Sequence, residues 1–211
     1  MTIAIVIRHG QAEGNSDHRF IGQTDVPLDA LGQLQAAALA KRLAPLPIKR
    51  IISSDLARAR DTIAPGATAL GLPVETDRRL REIANGEWSG LLPTEIKEGW
   101  PTMWRAYIDG DDVERPGGES WRRVRTRVVE CVTELQRTED LVAISTHGGP
   151  ALCLVNWALG LAPDGNIFTG RLGAIENVAL NVIELEGPRL LAYNDLGHVP
   201  EGLPRIRLPF D

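Results

Sequence analysis

The chain has 211 residues, 43% of them hydrophobic and 24% charged, with a net charge of −5. This balance is ordinary for a soluble globular protein, and the negative sign argues against a nonspecific partner of nucleic acid or of membrane surfaces. No apolar run approaches the roughly 20 residues that span a bilayer. The first element is Ile3-Ala4-Ile5-Val6-Ile7, an unbroken apolar run with neither helical period nor alternation. Such a run suits a strand buried on both faces, as in a parallel sheet covered by helices. It is too short for a signal peptide and lacks the basic flank. It stops at Arg8-His9-Gly10, so an arginine and a histidine stand at the carboxyl end of the strand, where open α/β sheets hold their ligands. Taken alone, the tripeptide reads equally as a surface Arg-His with no task.

Residues 11 to 26 form a polar, glycine-interrupted loop of unusual length for a compact domain. A helix follows, with Asp29 as its N-cap and Leu31, Leu34, Ala38, Leu39 and Leu43 as its apolar face; Pro45 and Pro47 end it. Ile51 to Ser54 is a short buried strand, and Asp55 is placed to cap a helix that closes at Gly71, a residue suited to the left-handed C-terminal position. Arg58 sits in the first turn of that helix, where a cation opposes the macrodipole. It is either a solvated surface residue or one kept for function. Val74 to Thr76 and Arg79 to Ile83 read as short extended pieces. Leu91 to Gly118 carries three prolines, two tryptophans and the acidic run Asp109 to Asp112. It is expected as a small helical cap over the sheet edge, with the acidic run a solvated turn.

Ser120 is a candidate N-cap for a helix whose apolar period is Val124, Val128, Val132 and Leu135. Leu141 to Ser145 repeats the opening theme, an aliphatic strand that runs into Thr146-His147-Gly148-Gly149. Pro150 suits the first position of the next helix. Val178 to Leu185 and Leu190 to Tyr193 alternate around Glu186-Gly187-Pro188 as a hairpin, and the last ten residues read as a surface tail. Cys131 and Cys153 both fall in apolar-periodic stretches and are expected as buried free thiols of a cytoplasmic protein. Two cysteines and four histidines at scattered positions give no metal-ligand spacing. Strands alternating with helices predict a three-layer α/β/α sandwich with a mostly parallel central sheet, and residues 1–211 are read as one domain with the 91–118 cap inside it.

Five motifs occur in order: Arg8-His9-Gly10 with Asn15 six residues after His9; Ser53 to Ala59; Leu80-Arg81-Glu82 with Gly86 to Gly90; Pro116 to Ser120; and Thr146 to Gly149. Together they resemble the histidine phosphatase superfamily, on its phosphoglycerate-mutase-like branch, over about Ile3 to Leu161. The resemblance implies hydrolysis of a small phosphorylated metabolite, with no cofactor and no metal, and allows a homodimer. His9 would be the nucleophile that forms a phosphohistidine, and Glu82 the proton donor. Arg8, Arg58, His147, Asn15 and the backbone N–H of Gly148 would hold the phosphate. The residue types suit that chemistry. Guanidinium groups donate to phosphate oxygens as rigid forks, a neutral imidazole offers a free ring nitrogen, and an alkoxide leaving group needs a proton. From spacing alone, a surface carboxylate paired with Arg79 or Arg81 is the favoured reading of Glu82, and His147 is equally a core histidine. Trp88, Trp100, Trp104 and Trp121 are read as packing, and His18 and His198 as loop residues outside the motif.

The departures bear on function. Ala12 stands where the family often has a hydroxyl. Ile21 replaces the Ser/Thr of the mutases or the Gln of many phosphatases. The segment from Leu91 to Pro116 has only Lys97, Arg105 and Arg115 among its acids, without the lysine and paired arginines that grip a second anionic group in the mutases. This favours a metal-independent phosphatase over a bisphosphoglycerate-dependent phosphoglycerate mutase. A third reading is a phosphate-binding module without turnover, which would have no use for an acid at Glu82.

Overall fold

The structure is a computed structural model and describes residues 1–14, 19–136, 140–162, 165–170 and 172–200. Asn15, His18 and the C-terminal tail therefore lie outside the described residues. Six strands form one sheet in the order β3-β2-β4-β1-β5-β6, where β1 is Ile3–Arg8, β2 Ile48–Ser53, β3 Val74–Thr76, β4 Leu141–Thr146, β5 Leu180–Glu184 and β6 Arg189–Asp195. The first four are parallel to one another, while β5 and β6 add an antiparallel edge.

The apolar run of β1 is explained by helices on both sides. Ala4 and Val6 pack into a core that holds α5 (Trp121–Thr133) and α6 (Gly148–Ala158). Ile5 and Ile7 pack into a second core with α1 (Ala30–Leu43) and α2 (Ala57–Leu70). Successive side chains of a strand point to opposite faces, so a strand between two helical layers must be apolar at every position. The expected three-layer α/β/α sandwich follows, and 91–118 contains the expected short helices, α3 (Pro93–Gly99) and α4 (Pro101–Ile108).

Several local expectations are corrected. On α1, Leu34 is exposed and Gln35 is buried instead, because the Gln35 side chain accepts a hydrogen bond from the Gln11 backbone N–H at 2.8 Å. Asp55 does not cap α2. Its carboxylate takes both nitrogens of an Arg81 fork at 2.6 Å, and the Ala57 N–H at the helix start donates to Asp25 Oδ1 at 2.7 Å. Arg79 to Ile83 is not extended, since residues Arg78–Leu80 form a 3-10 turn. The acidic run is not simply solvated, because Asp112 accepts from the backbone N–H groups of Trp121 and Arg122 at the start of α5. Pro150 is the third residue of α6, which begins at Gly148. Asp29, Ser120 and Gly71 take the capping positions expected of them, and both cysteines are free and buried. No helix among the described residues is long and apolar enough to cross a membrane.

Candidate active site

Strands β1 and β4 are parallel neighbours in register, with Arg8 opposite Thr146. The next residue of each, His9 and His147, therefore emerges side by side at the carboxyl end of the sheet. Their ring centroids are 5.1 Å apart in an edge-to-face arrangement, so one small anion can touch both. Strand β2 lies on the other side of β4 and delivers Ser54, whose hydroxyl is 2.9 Å from His147 Nε2. Both imidazoles are buried.

The hydrogen bonds of His9 fix its tautomer. Nδ1 lies 2.6 Å from the Gly10 carbonyl, which only accepts, so Nδ1 carries the proton. Arg58 Nε, which only donates, points at Nε2 from 3.3 Å. Nε2 thus presents its lone pair toward the cationic side of the site. Burial, then Arg58 and Arg8, push the His9 imidazole well below its ordinary value near 6.5. Burial and the same cations, with His9 itself, do likewise to His147.

Arg58 is a buried arginine in the first turn of α2, so its position is not that of a solvated residue. Its Nη1 and Nη2 donate to the carbonyls of Thr24 and Gly22 at 2.8 and 2.7 Å, which makes the long loop after β1 the scaffold of this cation. Arg8 Nη1 donates to the Ile175 carbonyl at 2.6 Å, and its Nε is buried without an acceptor. That unfilled donor beside two imidazoles is suited to an anion's oxygen. The segment before β5 holds the same corner in place. Asn177 donates to the His9 carbonyl at 2.6 Å, and Val178, at an unusual φ of +55°, donates its N–H to the Arg8 carbonyl at 2.9 Å.

Glu82 is half-buried and pairs with neither Arg79 nor Arg81 among the described residues; those bind Asp77 with Glu134, and Asp55. Its two oxygens accept from the backbone N–H groups of Ile83 at 2.9 Å and Gly149 at 3.3 Å. A Cβ on Gly149 would stand 2.5 Å from Glu82 Oε1 and 2.5 Å from Trp121 Cζ3. The second glycine of His147-Gly148-Gly149 is therefore the sterically demanding one. At Gly148 a Cβ would meet the Arg8 guanidinium at an ordinary 3.5 Å. Sequence reasoning singled out Gly148 and gave no role to Gly149 or Asn177.

Trp88 is buried among the rings of Phe20, Trp100, Trp104 and Tyr107, at centroid distances of 5.8 to 6.5 Å. This packing ties the 91–118 segment to the loop after β1. Trp121 is also buried and packs on Phe168. His198 is half-buried. Among the described residues no group of three or more His, Cys, Asp or Glu side chains is arranged to hold a metal ion.

Residues 4–195 match the family model of the histidine phosphatase superfamily (branch 1). The chain belongs to that superfamily. Among curated relatives, it is 36% identical over 178 residues to a glucosyl-3-phosphoglycerate phosphatase of Mycolicibacterium vanbaalenii, covering 80% of this chain and 79% of the relative. It is 37% identical over 166 residues to a probable phosphoglycerate mutase, GpmB, of Salmonella choleraesuis, covering 74% of each. A solved mycobacterial glucosyl-3-phosphoglycerate phosphatase superposes with a TM-score of 0.79 at 30% identity, over 91% of this chain and 98% of that one. Bacillus stearothermophilus YhfR gives 0.84 at 26% identity, over 95% and 100%. The histidine phosphatase described here is an enzyme that hydrolyses phosphate esters.

Proposed function

We propose that this histidine phosphatase hydrolyses a small phosphorylated metabolite through a phosphohistidine on His9, within one catalytic domain capped by residues 91–118. The observation that carries the proposal is the fixed tautomer of His9, with Nε2 unprotonated between Arg58 and His147. In this reading Arg8, Arg58, His147, Asn15 and the Gly148 N–H hold the phosphate oxygens. His9 Nε2 attacks phosphorus while the P–O bond to the leaving group breaks, and protonated Glu82 gives its proton to the departing alkoxide. The resulting carboxylate takes a proton from water, whose oxygen attacks phosphorus. The P–N bond then breaks and inorganic phosphate leaves. The two guanidinium groups and the second imidazole supply charge stabilisation at the equatorial oxygens.

The test is single-turnover trapping with chelator present. An acid-labile phosphoenzyme is expected in the wild type and absent in His9→Ala, and a His9→Ala variant that still formed it would end the proposal. The curated relative named as a probable mutase favours a second reading, phosphoglycerate mutase. Isomerisation of 3-phosphoglycerate without net hydrolysis would support that instead. The relatives named as glucosyl-3-phosphoglycerate phosphatases make glucosyl-3-phosphoglycerate the first compound to compare by kcat/KM with other phosphorylated metabolites. The buried free thiols Cys131 and Cys153 support a cytoplasmic, reducing location. Light scattering in solution decides between monomer and homodimer.

A further inference from the structure

Arg115, in the 91–118 segment, is 1% exposed. Its guanidinium carbon lies 4.9 Å from the ring centroid of Trp121, 5.5 Å from that of Tyr107 and 5.8 Å from that of Trp88. Nη1 reaches the carbonyls of Val113 and Glu119 at 3.3 and 3.1 Å, and Nε is buried without an acceptor. Among the described residues no carboxylate comes within ion-pair distance of it. An arginine remains charged even when buried, and an unpaired buried cation is costly. Aromatic faces offset part of that cost.

The carboxylates that act on Arg115 are Glu82, Asp112 and Glu119. Two of these have other duties: Asp112 accepts the first N–H groups of α5, and Glu119 pairs with Arg127 at 2.9 Å. Among the described residues, Glu82 accepts only from backbone N–H groups. The unpaired cation and the unpaired acid are joined by Trp121. One face of its indole carries the Arg115 guanidinium, and its ring edge and Glu82 Oε1 crowd the same point above Gly149.

We propose that Arg115 is a positioning residue for Glu82, the cation that balances its carboxylate once substrate phosphate has taken up the charges of Arg8 and Arg58. The proposal rests on Glu82 acting as proton donor and then as base. The charged and titratable groups near enough for the charge of Glu82 to act on them are Arg8 from β1, Arg58 from α2, Arg115 and Tyr107 from the 91–118 segment, and Cys153 from α6. Arg127 of α5 donates to the Glu82 carbonyl. Tyr107 and Cys153 are neutral near pH 7, since burial pushes both upward. When a phosphate dianion binds, Arg8 and Arg58 are compensated and the dianion favours the protonated carboxyl. Arg115 then remains to favour the carboxylate that must take a proton from water in the second step.

The test follows dephosphorylation of the phosphoenzyme against pH in Arg115→Met, Arg115→Lys and Glu82→Gln. In Arg115→Met the Glu82-dependent limb should move up by about one pH unit, a tenfold loss of dephosphorylation on its acid side, as expected for one charge removed in partly screened surroundings. Phosphorylation by p-nitrophenyl phosphate should stay within about twofold, because that leaving group needs little help from an acid. Arg115→Lys keeps the charge with a different shape and should keep the wild-type limb even if it loses stability. A limb that does not move in Arg115→Met, or that moves equally in Arg115→Lys, overturns the inference alone. A limb that persists in Glu82→Gln overturns the proton-donor reading and the inference with it.

Discussion

His9 and His147 are held neutral by burial among cations, and that has a measurable cost on the acid side. Their folded-state proton affinity is depressed below the ordinary value near 6.5, so the unfolded chain binds more protons as pH falls below 6.5. The stability they contribute is complete above that pH and declines below it, at about 1.4 kcal/mol per pH unit for each histidine. Urea unfolding at pH 6.5 and 5.5 separates this from the carboxylates, whose ordinary values lie lower. His147→Asn should remove its own share of the loss between those two values, about 1 kcal/mol, and an unchanged loss would show that His147 is not buried neutral. Gly149 is the second residue-scale case. A methyl there meets the mobile end of Glu82 and the fixed ring of Trp121, so the carboxyl moves first. Gly149→Ala should cost about 2–3 kcal/mol, the upper part of the overpacking range, because the buried Trp121 ring cannot swing aside as the carboxyl can, but it should leave the protein folded. It should nevertheless slow alkyl phosphates by about 10²-fold, within the usual worth of general acid catalysis, and p-nitrophenyl phosphate far less. Equal slowing of both esters would count against Glu82 as the acid.

At the scale of elements, β1 and β4 were legible because a strand between two helical layers is apolar over most of its length; the buried Ser145 and Thr146 at the end of β4 are tolerated because their hydroxyls donate to the Ala59 and Leu80 carbonyls. The abrupt ends of the two strands at Arg8-His9 and Thr146-His147 marked the site for the same reason. Helix α2 was legible in extent but not in its start. The local pattern offers Asp55 as a cap, yet Arg81, 26 residues on, takes its carboxylate, and Asp25 reaches the Ala57 N–H from the preceding loop. Gln35 is buried for a similar non-local reason, its bond to the Gln11 backbone. Arg115 and Asn177 carry no local signature at all, since each matters through partners on other elements. Asp25 yields a prediction at this scale. Asp25→Ala removes the acceptor at the start of α2 and should cost about 0.5–1 kcal/mol, the lower part of the capping range because the site is exposed. The same change loosens the loop whose Gly22 and Thr24 carbonyls hold Arg58, so KM should rise while the rate of phosphorylation at saturation changes little. A stability loss with KM untouched would separate the cap from the loop's hold on Arg58.

Across the whole molecule, the site is assembled from β1, the loop after it, the start of α2, the turn at Glu82 and the end of β4. These segments are far apart in the chain and meet only when both cores are formed. A phosphate ion bound by them is bound by the folded state alone, so it must stabilise the whole structure by mass action. At a free concentration about 100 times its Kd, inorganic phosphate should add about 2.7 kcal/mol. For a chain of this size that corresponds to a rise in Tm of about 5–10 °C over an equal ionic strength of chloride. Arg58→Ala is itself expected to lower Tm, because it vacates a buried position and strips the loop carbonyls of their donor. The informative quantity is therefore the phosphate-induced shift within each variant. That shift should nearly vanish in Arg58→Ala and in Arg8→Ala at the same phosphate concentration, because each removes one of the two guanidinium groups proposed to hold the anion. It should survive in Glu82→Gln, which changes proton transfer and leaves the phosphate donors in place. A shift retained in full by Arg58→Ala would place the bound phosphate elsewhere on the protein and detach the Arg58–His9 geometry from substrate binding.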